Sequence, residues 1–318
     1  MTAALPPLAR LALSRLVQMG AVLTALVILT FLMVQLIPGD AAMRIAGPDA
    51  SAEELTRLRI DMGLDRPVWE QFGHYIGGLA QGDFGLSMTT QQPVAELLRD
   101  RLPYTLVLAG LALVLVVCFG FSMGLAVAIA TREGCRTWLD HGFTSLTGLL
   151  GTVPELIAAI ALAFVFAVSL RWLPVSGASE PASVVLPVLA IALRPSFNFA
   201  RVVRTEARHV LRADFMRTAR ARRLPGWRLW LVHLAPNVAT SALTIAGLIF
   251  PYLIGGAVIV ENVFAWPGLG SEVVRAVVTA NLPVVQAIVL LLGVLVVLTN
   301  LIVDLLLMLV DPRRRHVS

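Results

Sequence analysis

From residue 104 to residue 130 the chain runs without a charged side chain, and the stretches 17–37, 237–260 and 283–303 do the same. A helix rises about 1.5 Å per residue, so about 20 such residues cross roughly 30 Å of hydrocarbon. All four runs are long enough. Two more, 142–170 and 182–200, are each interrupted once, by Glu155 and by Arg194. The pattern predicts an all-α integral membrane fold with six transmembrane helices. A soluble core could not enclose apolar surface on this scale, with 58% of 318 residues hydrophobic and only 14% charged. The first run follows Arg10 and Arg15 but exceeds the apolar stretch of a signal peptide. Ile37-Pro38-Gly39-Asp40 does not resemble a small-residue cleavage site, so the run reads as a retained anchor.

Orientation follows from the arginines. The segment before the first run, the loops 131–141 and 204–236, and the segment after Val310 hold fifteen of them. The alternate segments 39–103, 171–181 and 261–282 hold eight, and the first of these also carries ten acids. Both termini are therefore expected to be cytoplasmic. The outer segment 39–103 is patterned: Ser51-Ala52-Glu53-Glu54 has capping-box form, followed by Leu55, Leu58 and Met62 at helical spacing and a closing Gly63. Val68, Phe72, Tyr75, Ile76 and Leu79 form a second stripe. Two short amphipathic helices over the outer face are expected, as a cap on the bundle or as a docking surface.

Catalytic chemistry is poorly provided for. All 25 basic residues of the Lys+Arg count are arginine, and a phosphate-binding loop of the G-x-x-x-x-G-K-[ST] type needs a lysine. Any nucleotide hydrolysis is thus expected to come from another subunit, with no nucleotide cofactor in this chain. The five histidines are scattered without i,i+4 pairing and no metal site is expected; Cys118 and Cys135 give no disulfide framework. An intramembrane hydrolase would need a nucleophile with a base, and a passive channel a repeated polar lining. The spans offer neither, and both readings remain remote alternatives. Nucleic acid is not expected among the partners.

Eight arginines between Arg204 and Arg228, against Glu206 and Asp214, exceed what orientation requires. Residues 214–222 have good helix propensity and Leu224-Pro225-Gly226 breaks the run, after which Trp227, Leu229, Trp230 and Leu231 return toward the membrane. A basic helix followed by a sharp turn makes a knob on the cytoplasmic face.

The stretch "RTARARRL", residues 217–224, resembles the cytoplasmic loop of integral-membrane permeases of binding-protein-dependent ABC importers, in the branch serving dipeptides, oligopeptides and nickel. Arg223 stands where that family has glycine, and His233, Ala235 and Pro236 fall on the rest of its loop motif. "LIPGD" (36–40), "GPDAS" (47–51), "MGLDRP" (62–67), "GDFGLS" (82–87) and "PVAELLRDRLPYTL" (93–106) resemble the outer region of peptide permeases. "GGAVIVENVFAWPGLG" (255–270) and 282–306 resemble its C-terminal half.

The resemblance implies a type I ABC importer permease fold in the bacterial inner membrane. It implies half of a translocation pathway for dipeptides or oligopeptides, with nickel or a nickel chelate as the alternative cargo. The partners implied are a second homologous permease, two ABC ATPases that bind the ATP and magnesium, an extracytoplasmic binding protein, the peptide substrate and membrane lipid. Coupling to the ATPases falls on Asp214, Arg217, Thr218, Ala219, Arg220, Arg223, Leu224 and Pro225, with Ala219 as the small residue facing an ATPase groove. Because glycine takes positive φ at little cost and arginine does not, Pro225-Gly226 is expected to supply the turn in place of Arg223. The domains expected are 1–103, a first transmembrane helix with an extracytoplasmic helical segment; 104–311, a five-helix core carrying the coupling loop 204–236; and a cytoplasmic tail, 312–318.

Charge in a span centre costs roughly 2.5–3.5 kcal/mol on insertion scales, so Glu155 and Arg194 call for a reason. By helix rise their depths differ by about 8 Å, within reach of an arginine. They pair with each other, or snorkel to an interface, or line the translocation path. Glu261 and Asp304 lie near span ends, where helix-end packing is the expected role.

Overall fold

The computed structural model of the protein describes residues 7–36, 43, 51–61 and 65–310. The tail 312–318, the closing Gly63 and most of the motifs at 36–40, 47–51 and 62–67 lie outside the described residues. The architecture is helical throughout, and the one β-type pairing described is the isolated bridge between Leu86 and Pro93.

The chain order is α1 (Pro7–Leu36), α2 (Ala52–Asp61), α3 (Val68–Gln81), α4 (Val94–Ala130), α5 (Thr137–Leu150), α6 (Glu155–Leu162, continued by a π-wound Ala163–Ser169) and α7 (Val185–Leu211). There follow α8 (Asp214–Ala221), α9 (Gly226–Val263), α10 (Leu269–Val278) and α11 (Leu282–Val310). Four helices, those holding α4, α7, α9 and α11, are long and apolar enough to cross a membrane, and α5 with α6 makes a fifth crossing if the bent pair is one span. The sixth expected helix is α1, whose apolar part is Val17–Met33 and which lies along α11.

The capping box at the head of α2 forms as expected. The Ser51 backbone N–H donates to Glu54 Oε2 at 3.0 Å, and the Glu54 N–H donates back to Ser51 Oγ at 3.3 Å. The Ser51 N–H, together with the Ser51 hydroxyl that donates to the same Glu54 Oε2 at 3.0 Å, holds the Glu54 carboxyl below its ordinary pKa. On α3 the apolar stripe is used only in part. Phe72 and Tyr75 pack on Phe31 of α1 with ring centroids 5.1 and 5.8 Å apart, while Val68 and Ile76 stay exposed.

The core is built on α4 against α7, because small residues let the backbones approach. A Cβ on Gly120 would stand 2.8 Å from the Phe199 ring, and one on Gly124 would strike the Ala200 carbonyl. Leu108, Ala109, Ala112 and Val116 of α4 and Ile191, Phe199 and Val203 of α7 are buried in this seam. A second cluster joins Val94 and Leu98 to Leu269, Val284 and Ile288. The helix α4 begins at Val94 and runs through Pro103, so the boundary expected at 103 falls inside it.

The run 142–170 is not one helix. Its two halves, α5 and α6, are turned 95° at the break 151–154. Pro154 has no N–H to continue the ladder and disfavours helical geometry in the residue before it. Pro154 sits at φ −62°, ψ 143° and starts α6 anew. The depth argument for Glu155, which assumed an unbroken helix, therefore fails.

Candidate functional site

The segment 204–236 is helix over most of its length rather than a loop. Its first two arginines lie on α7, where Arg204 and Arg208 both pair with Asp140 at the start of α5, Arg208 at 3.2 Å. The guanidinium of Arg204 also lies 5.5 Å from the Phe143 ring centroid. Sequence reasoning did not find this clasp. An acid one turn before an aromatic, facing paired arginines at i and i+4, was the available signal.

The knob itself is α8. Two of its apolar residues, Met216 and Ala219, are spaced three apart and share one face, the only apolar pair at helical spacing that the helix buries. Both are buried, with Ala219 at 7% exposure, against the core that holds Leu211, Leu229 and Leu234. Ala219, expected to face outward into an ATPase groove, thus faces the interior of its own chain. The outward face carries Asp214, Phe215, Arg217 and Thr218, with Arg217 3.6 Å from Asp214 in an exposed pair. Arg220, half-buried, donates to the Leu211 carbonyl at 2.5 Å, a cation on the last turn of α7 where the helix dipole is negative.

The turn that ends α8 is made by Arg223, at φ +50°. Its N–H donates to the Arg220 carbonyl at 2.9 Å. The expectation that Pro225-Gly226 would replace the missing glycine is overturned: Pro225 sits at φ −60°, ψ 144° and caps the start of α9, while Gly226 is already helical. Leu224, half-buried, packs against the core between them. Knob and membrane helix are thus linked by one left-handed residue and a proline, a short and stiff connection.

Within the membrane, Glu155 and Arg194 meet through a third residue. Arg194 Nη1 donates to the Tyr252 hydroxyl at 3.2 Å, and that hydroxyl donates to Glu155 Oε1. Glu155 is buried, whereas Arg194 and Tyr252 are exposed. Glu155 approaches α9 where Gly256 offers no side chain; a Cβ there would lie 2.6 Å from Glu155 Oε2. Tyr252 was missed in the sequence. A phenol hydroxyl midway along a run without charged side chains was its signal, since such a group needs a partner.

Glu261, fully buried, receives Thr105 Oγ1 at 2.7 Å and the Gly270 and Ser271 N–H groups at 2.6 and 3.1 Å. It caps the start of α10, in keeping with the helix-end role expected of it. Among the described residues no group of three or more His, Cys, Asp or Glu is placed to hold a metal.

The chain belongs to the binding-protein-dependent transport system inner membrane component family, whose model matches residues 120–316, with the N-terminal model of the same system on residues 8–109. It is 39% identical over 314 residues to a Brucella abortus protein named as a peptide transport system permease, covering 96% of this chain and 99% of that one. It is 38% identical over 306 residues to the glutathione transport system permease protein of Salmonella typhimurium, covering 96% and 98%. Its fold is similar to a chain of the MetNI methionine ABC transporter in an inward-facing conformation, with a TM-score of 0.58 at 18% identity over 68% of this chain and 96% of that one. The protein is an inner-membrane permease component of an ABC importer. The family works in general with a second permease, ATPases and a binding protein.

Proposed function

We propose that this chain forms half of the translocation pathway of an ATP-driven importer of short peptides. It binds separate ATPase subunits through α8 and works by alternating access, without covalent chemistry of its own. The peptide cargo is supported by the relatives, since the Brucella protein is named for peptide transport and glutathione is itself a tripeptide. The observation that carries the coupling role is the outward face of α8: Asp214, Phe215, Arg217 and Thr218 are exposed while Met216 and Ala219 anchor the helix. Anchored through its buried face and tied to α7 by Arg220, the helix passes displacement to α7 and, through the turn at Arg223, to α9. Both termini and α8 face the cytoplasm in this reading, in accord with the arginine distribution.

The test is reconstitution in proteoliposomes with the homologous permease, the two ATPases and the binding protein. Uptake of labelled trialanine should require all of them and ATP. ATP hydrolysis by the purified chain alone, or uptake indifferent to the ATPases, would refute the reading.

A further inference from the structure

A groove of about 330 Å³ opens on the side of α7 and α9. Its walls are Phe199, Ile245 and Leu248, and its polar groups are Arg194, Asn198 and Tyr252. Asn198 accepts from Arg201 through its Oδ1 at 3.0 Å. Arg194 is the cation of the groove, and among the described residues no carboxylate makes an ion pair with it. Its guanidinium has five N–H donors in a fixed fork, of which one is used on Tyr252.

The Glu155–Tyr252 bond gives that fork its orientation. Because the Tyr252 hydroxyl sends its proton to Glu155, its oxygen is left to accept from Arg194. The Tyr252 ring, 6.0 Å from the guanidinium carbon, backs the same group. Glu155 is held in turn by the space that Gly256 leaves. One edge of the fork is thereby fixed, and the residue lines a slot with apolar walls. A planar fork in an apolar slot matches a carboxylate joined to a small side chain, as at the C-terminus of a short peptide. The placement also gives an exposed charge in a membrane helix a function, as such charges commonly have.

We propose that this groove receives the terminal carboxylate of the transported peptide, with Arg194 as the anion-binding group and Tyr252, steadied by Glu155, as a positioning residue. The proposal rests on the reading of the chain as a peptide importer permease. It makes the free carboxylate a requirement of the membrane pathway itself, in addition to whatever the binding protein selects.

The test uses the complete transporter purified in detergent, without binding protein. Cys118 and Cys135, both exposed, are replaced by serine, and Leu248→Cys on the groove wall is the reporter for maleimide labelling. Trialanine should slow labelling and trialanine amide should not. In Arg194→Met the affinity for trialanine, read from the concentration dependence of protection, should fall at least about tenfold, as expected for loss of a charge-assisted pair. Arg194→Lys should keep part of it. Tyr252→Phe should weaken protection by acid without creating protection by amide.

Equal protection by acid and amide, no protection by either, or protection unchanged in Arg194→Met would overturn the proposal. A reporter that never reacts would put the groove beneath the second permease and overturn it as well. Trialanine uptake in proteoliposomes separates the two readings. A transporter that imports the peptide but fails these labelling tests loses only the groove, whereas one that imports no peptide loses the function proposed above.

Discussion

Thr105 on α4 donates its hydroxyl to the Glu261 carboxylate on α9 at 2.7 Å, in a site with no exposure to solvent. The Thr105 oxygen in turn accepts the Leu269 N–H at 2.9 Å, so the pair satisfies three backbone donors at the head of α10. A helix start leaves such donors without partners, and burial here would make their loss costly. Glu261→Ala should therefore destabilise the chain by about 3 kcal/mol or more. Thr105→Ser, which keeps the hydroxyl, should cost about 1 kcal/mol. Thermal unfolding of the purified chain in detergent reads both.

Gly256→Ala should cost about 1–3 kcal/mol, the range for overfilling a packed contact, because the new methyl meets the Glu155 carboxylate. In a Glu155→Ala background the same change should cost much less. An unchanged cost in the double mutant, measured by the same unfolding assay, would show that the two side chains do not share that space.

Arg223 holds a left-handed backbone at φ +50°. Arg223→Gly should leave the chain at least as stable as it is now. Arg223→Val, β-branched at a positive φ, should lose roughly 1–2 kcal/mol. If valine is tolerated as well as glycine, the turn lies elsewhere.

The two faces of α8 should respond differently. Ala219→Trp overfills the chain's own interior and should lower stability by about 1–3 kcal/mol. Arg217→Glu, on the exposed face, should leave stability within about 0.5 kcal/mol and reduce co-purification of the ATPases. Full ATPase recovery with Arg217→Glu and with Phe215→Ala together would remove α8 from the coupling interface.

In intact cells, Arg59→Cys on α2 should react with a membrane-impermeant maleimide, and Arg222→Cys, just past α8, should react only after permeabilisation. The native cysteines are replaced beforehand. The reverse pattern would invert the orientation drawn from the arginines.

The membrane class and the four long apolar helices α4, α7, α9 and α11 were legible in the sequence, because crossing hydrocarbon demands an unbroken apolar run and nothing from a distant residue; the six spans expected were not all of that kind. The Ser51–Glu54 box, the short helix over 214–221 and its termination before Pro225 were legible for the same reason: each depends on residues within about one helical turn. Tertiary structure alone decided how those pieces meet. The uncharged stretches flanking Pro154 read as one span, but the direction of the second half was set by packing against α7 and α9. Ala219 looked like a small residue kept clear for a partner, and it lies inside because it shares with Met216 the face that α8 buries. Arg223 was judged unfit for positive φ on intrinsic preference, and the closure of α8 onto α9 put it there regardless. Arg194 and Glu155 stood out as charges in apolar runs, yet the residue that joins them lies 58 positions from one and 97 from the other. Hydropathy and propensity are summed along the chain, so they fix which segments are helical and which lie in lipid. Hydrogen bonds between helices depend on crossing geometry, which those sums do not contain.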